Sequence, residues 1–203
     1  MTEDHLAPPT FDPADAAAAA ARFASTAPAD VHYALVDSPI GTLVAAATPR
    51  GLVTLSYEDR RGGGTDAVLD WVAAKLSPRM IEAPTKLDDV RRELDEYFEG
   101  HRREFDLPID WALTGDFTRR VLQATAAIPF GKVTTYGAVA AEAGNPKASR
   151  AVGSACARNP IPIVVPCHRV LPGSGGIGNY GGGPERKRAL LELEGVLPTS
   201  LTP

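Results

Sequence analysis

The strongest chemical signal in this sequence is a cysteine, a histidine and an arginine placed at the end of an apolar run. Residues 161–166 are apolar and contain two prolines, and Cys167, His168 and Arg169 follow them directly. A cysteine reacts as its thiolate, so a neighbouring base or cation must lower a thiol pKa that is ordinarily about 8.5. His168 and Arg169 are the candidates for that task. A cysteine after an apolar run is also typical of a small core residue, so the pair alone leaves catalysis and packing open.

Composition excludes several other classes of protein. The 203 residues are 44% apolar and 23% charged, which is typical of a soluble globular chain. The longest charge-free runs, residues 38–49 and 170–184, are shorter than the roughly 18 apolar residues of a membrane-spanning helix. The acidic start does not resemble a secretory signal. With only two cysteines, Cys156 and Cys167, we expect a cytoplasmic protein without a disulfide scaffold.

Charge divides the chain into two unlike halves. Residues 1–113 hold 11 Lys+Arg against 20 Asp+Glu, a net charge of −9, whereas residues 114–203 hold 10 against 5, a net charge of +5. An acidic half joined to a basic half suggests that the second half binds a polyanion. An uneven distribution of charged side chains on a solvated surface explains the same difference in charge equally well.

The first half predicts a small α+β scaffold domain over residues 31–113, with an antiparallel sheet. Its β-prone runs are residues 31–36, 42–47 and 51–57, separated by Pro- and Gly-containing turns. Its helical patterns are residues 65–76 and 87–99, and residues 106–110 predict a linker strand. Residues 1–30 predict an extension with a helix over residues 14–23, and residues 198–203 a tail.

The second half, residues 114–197, predicts a mainly helical domain that contains a helix-turn-helix. The predicted helices are residues 116–127, 136–143 and 147–158, with Gly144-Asn145-Pro146 as the turn between the last two. Such a pair is typical of a packing hairpin as well as of a DNA reader. DNA is favoured because the last helix opens with Lys147 and Arg150, and its small residues, Ala151 and Gly153 among them, allow close approach to a groove.

Eight short motifs then follow one another along this half. They are IPFG at 128–131, YG at 136–137, AGNPKASR at 143–150, AVG at 151–153, RNP at 158–160, PCHRV at 166–170, GNYGGG at 178–183 and LELEG at 191–195. Each is weak alone, but in this order and spacing they resemble the O6-alkylguanine-DNA alkyltransferases. The resemblance covers about residues 31–197.

That resemblance implies which residues carry the reaction. Cys167 is the alkyl acceptor, and it forms a hydrogen-bonded relay with His168 and Glu194 in which water links the imidazole to the thiol. Glu194 orients His168, in keeping with the general logic of nucleophile, base and orienting carboxylate. Asn159 braces the active-site turn. The resemblance implies neither a cofactor nor a metal.

The resemblance also implies the DNA-binding and substrate-binding residues. Double-stranded DNA carrying O6-alkylguanine is the partner, bound from the minor groove, and no protein partner or membrane is implied. Arg150 enters the base stack in place of the extruded nucleotide, and Tyr136 crowds its phosphate. The other implied DNA-binding residues are Lys147, Ala151 and Gly153. The implied pocket residues are Tyr136, Pro162, Val170, Tyr180, Gly181 and Gly182.

The implied function is DNA repair by one irreversible transfer of an alkyl group from O6-alkylguanine, or from O4-alkylthymine, to Cys167. The alternative is a non-catalytic, alkyltransferase-like binder of damaged DNA, but such relatives carry another residue where this chain has Cys167. A cysteine hydrolase is a third reading, which leaves the helix pair and the basic half unexplained. Thr118 and Leu122 depart from the family pattern, and the first half lacks the Cys/His set that binds zinc in some relatives. Cys156 is predicted to be a packing residue.

Overall fold

The computed structural model describes residues 29–198. The predicted helix over residues 14–23 and most of the predicted tail lie outside this range. Within residues 29–198, no helix is long and apolar enough to cross a membrane.

The first half builds a four-stranded sheet in the order β3-β2-β1-β4. The strands are β1 (Val31–Val36), β2 (Leu43–Thr48), β3 (Gly51–Tyr57) and β4 (Met80–Glu82). The first three pair as antiparallel hairpins, as the turn residues predict. The sequence analysis missed β4, which pairs in parallel with β1 and makes the sheet mixed. Its three residues are too few to show a periodic pattern.

Two helices, α1 (Gly64–Lys75) and α2 (Asp88–Phe98), complete the first half. The predicted strand at residues 106–110 is wrong, because this segment makes only an isolated bridge between Ile109 and Leu52. Leu52 donates to the Pro108 carbonyl at 2.8 Å and Asp110 donates to Leu52 at 2.9 Å. Pro108 itself has no N–H to extend a ladder.

The second half is mainly helical, and together the halves confirm the predicted α+β class. Its helices are α3 (Asp116–Ala126), α4 (Tyr136–Glu142), α5 (Ser149–Ala157) and α6 (Pro184–Leu193), and a short parallel pair joins β5 (Thr134–Thr135) to β6 (Val170–Leu171). The Thr135 side chain caps α4 by accepting a hydrogen bond from Ala138. One boundary is wrong: Lys147 lies in the turn before α5, because the tight turn continues to Ala148, which donates to the Asn145 carbonyl.

The apolar run before Cys167 packs into the core of the first half. Ile161, Ile163 and Val165 are fully buried in one cluster with side chains from β1 to β3 and from α2. The carbonyl of Pro160 accepts hydrogen bonds from the Leu55 amide at 2.9 Å and from the Thr54 hydroxyl at 2.8 Å. The sheet of the first half therefore anchors the segment that delivers the cysteine.

Candidate active site

Asn159 braces the turn that leads to Cys167. Its side-chain amide donates to the Val165 carbonyl at 2.8 Å, and its side-chain oxygen accepts from the Ile161 amide at 3.0 Å. Inside this turn Ile163 adopts a φ of +74°, which is strained for a β-branched residue. The fixed bonds of Asn159 hold the strained backbone in one shape, and so they also fix where the cysteine emerges.

Cys167 begins a single 3₁₀ turn and is 4% exposed. Asn159 also donates to its sulfur, at 3.2 Å. Burial raises the pKa of the Cys167 thiol, while the Asn159 hydrogen bond and the charges of Arg60 and Lys187 act in the opposite direction. The balance favours the neutral thiol in the closed site, so reaction requires a base.

His168, the next residue, has a ring nitrogen that can accept a proton. Its ring is fully buried, and its Nε2 lies 2.9 Å from Oε1 of Glu194. A carboxylate can only accept, so Nε2 carries the proton and Nδ1 keeps its lone pair. This Nδ1 is buried and has no hydrogen-bond partner among the described residues. Burial also lowers the pKa of His168, which keeps the ring neutral and able to take a proton.

Glu194 is the centre of a buried hydrogen-bond network that joins distant parts of the chain. Besides His168, it accepts from the Tyr97 hydroxyl at 2.7 Å, the Gly131 amide at 3.2 Å and the Arg169 guanidinium at 2.8 and 2.9 Å. Burial opposes ionisation, but the hydrogen bonds from His168 and Arg169 prevail and lower the pKa of Glu194 to about 2.

The sequence analysis considered Arg169 as a cation that lowers the pKa of the Cys167 thiol, but the structure places it against Glu194. Its guanidinium forms a buried ion pair with Glu194 and also donates to the Ile128 carbonyl. The cations whose charge acts on Cys167 are instead Arg60 and Lys187. Arg169 supports the carboxylate behind the histidine rather than the thiol.

Cys167 opens into a cavity of about 540 Å³ between α5 and the glycine-rich loop after β6. The predicted residues that line it are Tyr136, Arg150, Gly153, Cys167, Tyr180 and Gly181. Cys156 also lines it, and is therefore a wall of the cavity as well as a packing residue. Burial, with the nearby Cys167, raises the pKa of Cys156 to about 12, so its thiol stays protonated at neutral pH.

Three of the predicted pocket residues do not line this cavity. Pro162 is buried in the turn that packs against the first half. Val170 is fully buried in a cluster around α3, because β6 turns its side chain inward. Gly182 lies against the Tyr57 ring, so closely that a Cβ on it would come within 2.3 Å of that ring.

Of the residues predicted to bind DNA, Tyr136, Arg150 and Gly153 lie at the cavity. Tyr136 and Arg150 line both the cavity and a shallow depression beside it, which Gly153 also borders. Ala151 is exposed on α5, and Lys147 is exposed in the turn before it.

Several residues of the site escaped the sequence analysis. Lys187 is fully buried, and its amine donates to the Val170 carbonyl at 2.9 Å and to the Asn179 carbonyl at 3.4 Å. A signal was present, since Lys187, Leu190, Leu191 and Glu194 share the spacing of one buried helix face. Arg60, in the first half, donates to the Asn159 carbonyl at 2.7 Å, and no local sequence pattern predicts that contact.

Across residues 29–198, no group of three or more histidine, cysteine, aspartate or glutamate side chains is arranged to hold a metal ion.

Two family models match the chain. One, described as 6-O-methylguanine DNA methyltransferase, ribonuclease-like domain, matches residues 31–111, and the other, the DNA binding domain of the same family, matches residues 116–196. The methylated-DNA–protein-cysteine methyltransferase of Mycobacterium bovis is 41% identical over 164 residues, which cover 81% of this chain and 92% of the relative.

Solved structures agree with these matches. The crystal structure of Mycobacterium tuberculosis O6-methylguanine methyltransferase is 39% identical, covers 84% of this chain and 97% of its own, and superposes with a TM-score of 0.70. A structure of Mycobacterium tuberculosis OGT in complex with DNA covers 81% and 93%, with the same identity and TM-score. Since both halves match models of one family and the relatives match over nearly their whole length, the chain belongs to the 6-O-methylguanine DNA methyltransferase family.

Proposed function

We propose that the protein repairs DNA by transferring the alkyl group of O6-alkylguanine to Cys167 in a single turnover. The observation that carries this proposal is the buried hydrogen bond between Glu194 and His168, next in sequence to a cysteine that lines a cavity, with Nδ1 of His168 left without a partner among the described residues. A nucleophile, a base and an orienting carboxylate in this order are the arrangement that activates a thiol.

The transfer is one displacement at carbon. The Cys167 thiol gives its proton to Nδ1 of His168, directly or through one water, and the thiolate attacks the alkyl carbon. The sulfur–carbon bond forms as the bond from that carbon to guanine O6 breaks, and the electron pair stays on the guanine. The proton that His168 took from the thiol is then available to the guanine ring, and protonation of the ring restores the normal base. Glu194 stabilises the transient imidazolium throughout.

The product explains the single turnover. A thioether is a poor leaving group, and no residue in the proposed mechanism acts as a second nucleophile that would remove the alkyl group from Cys167. The protein is therefore consumed in proportion to the lesions that it repairs.

DNA binding is assigned to the face around the cavity mouth. The target carbon is out of reach while the guanine is stacked, so the nucleotide must be rotated into the cavity. Arg150 fills the vacated place in the base stack, and Tyr136 crowds the phosphate of the extruded nucleotide. The proposed docking is through the minor groove, where the small residues Ala151 and Gly153 allow α5 to approach closely and little sequence is read.

A mass measurement after mixing the protein with an oligonucleotide that contains O6-methylguanine tests the proposal. We expect one added methyl group per protein, located on Cys167, and a product that plateaus at one equivalent. Cys167→Ser should abolish transfer, because a hydroxyl does not ionise near neutral pH. The matched control is Cys156→Ser, which changes the other cysteine of the same cavity and should retain transfer.

Binding is measured separately from transfer with the same variants. A salt titration of duplex binding should show a steep loss of affinity with rising salt, equal for wild type and Cys167→Ser, because phosphate charge dominates the contact. Methylation of Cys156 instead of Cys167 would refute the assignment of the nucleophile. Lesion binding without any transfer by the wild type would favour the non-catalytic reading, and salt-independent or absent binding would remove DNA as the partner.

A further inference from the structure

We propose that Tyr57, at the end of β3, is a positioning residue that holds the Tyr180 ring in the cavity and thereby controls which alkyl groups Cys167 accepts. This inference rests on the proposed function, since it takes the cavity to be the site of the alkylated base. It gives the first half of the chain, otherwise a scaffold, a part in substrate selection.

Tyr57 and Tyr180 are joined by their hydroxyl groups. The two oxygens lie 2.9 Å apart, and the rings meet edge to face with centroids 6.2 Å apart. Burial raises the pKa of both tyrosines, so both hydroxyls stay protonated at neutral pH and the hydrogen bond persists. The bond connects β3 of the first half to the glycine-rich loop of the second.

Tyr180 forms part of the wall of the cavity into which Cys167 opens. It lines the cavity together with Cys167, and its ring stands perpendicular to the His168 ring with centroids 6.5 Å apart. A group on guanine O6 must approach the sulfur of Cys167 to react. In the proposed complex the Tyr180 ring therefore faces the alkyl group, and carbons beyond the first pack against it.

Tyr57 is itself held in place on two sides. Gly182 packs against one edge of the ring, where any larger residue would collide with it. On the other side the Arg186 guanidinium lies 4.5 Å from the ring centroid and is fixed by Asp59 at 2.8 Å. Tyr57 is fully buried, so it cannot follow a displaced Tyr180. It is a rigid anchor and Tyr180 is the part that it positions.

A methyl group offers the Tyr180 ring little to contact, whereas longer alkyl groups and a benzyl group lie against it. Tyr57→Phe keeps the buried ring and removes only the hydroxyl that orients Tyr180. The rate of transfer from the larger groups should therefore fall about fivefold relative to methyl, the effect of one lost hydrogen bond.

The experiment measures single-turnover rates for methyl, ethyl, propyl and benzyl groups on O6 of guanine in one duplex, for wild type and Tyr57→Phe. Tyr180→Phe removes the other end of the same bond, so it should change the ratios alike, and the double variant should add nothing further. Tyr33→Phe on β1, in a separate apolar cluster, is the control and should leave the ratios unchanged.

A structural role alone would lower the rates for all alkyl groups by the same factor, and that result would overturn the inference. Unchanged ratios in Tyr57→Phe, or additive effects in the double variant, would overturn it as well. Wild-type protein that transfers no alkyl group would instead overturn the proposed function, so the two failures are distinguishable.

Discussion

Replacing Glu194 with glutamine should disable both the chemistry and the packing of this site. The carboxylate accepts from Tyr97, His168 and Arg169 at Oε1, and from Arg169 and Gly131 at Oε2. A glutamine keeps one oxygen and places an amide N–H2 group at the other position. In either orientation of the glutamine amide, at least two of these hydrogen-bond donors then face its N–H2 group instead of an oxygen. The buried Arg169 also loses its counter-charge.

The magnitude follows from these contacts. Removing one partner of a buried ion pair costs about 3–5 kcal/mol, which is a large part of the roughly 5–15 kcal/mol that stabilises a domain. For a chain of this size that loss lowers the Tm by roughly 6–20 °C. The transfer rate should fall at least about 100-fold, because His168 loses the bond that sets its tautomer and orientation.

Two measurements separate the effects. Thermal unfolding gives the stability, and single-turnover transfer from O6-methylguanine gives the rate at a temperature where circular dichroism shows the variant to be folded. Glu185→Gln, an exposed acid in the first turn of α6, is the control, and we expect it to change stability by less than about 0.5 kcal/mol. A Glu194→Gln variant that matches this control in both stability and rate would refute the network as described.

Acid should destabilise the wild type through the same carboxylate, because the pKa of Glu194 is about 2 in the folded protein against an ordinary 4.5. The ionised carboxylate therefore adds about 3 kcal/mol to the free energy of unfolding above pH 5, and this contribution is lost between about pH 5 and 2. Unfolding curves across this range should show the loss, and Glu194→Gln should lack that part of it. Arg150→Ala should slow repair of duplex DNA more than reaction with a free modified guanine, and equal slowing would exclude a role in extrusion. Lys187→Met should unfold at a lower temperature, because the Val170 and Asn179 carbonyls lose their donor. It should also transfer more slowly at neutral pH, with its pH–rate profile moved to higher pH, because a cation that favours the Cys167 thiolate is gone. An unmoved profile would show that Lys187 acts only in packing.

Local patterns predicted much of the fold. Turn residues between short apolar runs predicted the hairpins of β1 to β3, and helical periodicity with capping residues predicted α1 to α5 within a few residues. The motifs also indicated Cys167, His168, Glu194 and Asn159, and in the structure Asn159 contacts Cys167 and Glu194 contacts His168. These features share one property: the residues that specify them lie close together in the sequence or recur at a fixed spacing.

The features that the sequence analysis missed depend on long-range packing. Tyr97 reaches Glu194 across 97 positions, and Arg60 reaches Asn159 across 99. On its own helix Tyr97 has the pattern of an ordinary core residue, and only the fold shows that its hydroxyl meets a carboxylate. The family resemblance implied Pro162 and Val170 as pocket residues, but residues close to the cysteine in sequence on an extended or tightly turned backbone point in different directions.

In the proposed mechanism, burial explains how a cysteine that reacts once stays intact until its substrate arrives. Because burial raises the pKa of Cys167 and lowers that of His168, the resting pair is a neutral thiol beside a neutral imidazole. The charged pair of thiolate and imidazolium has to form in the closed site, where the ionised Glu194 behind the ring stabilises it. A neutral thiol reacts slowly with adventitious alkylating agents, whereas a substrate held in the cavity presents its carbon at the moment of proton transfer. The buried Glu194–Arg169 pair thus keeps a base ready without leaving a permanently reactive thiolate.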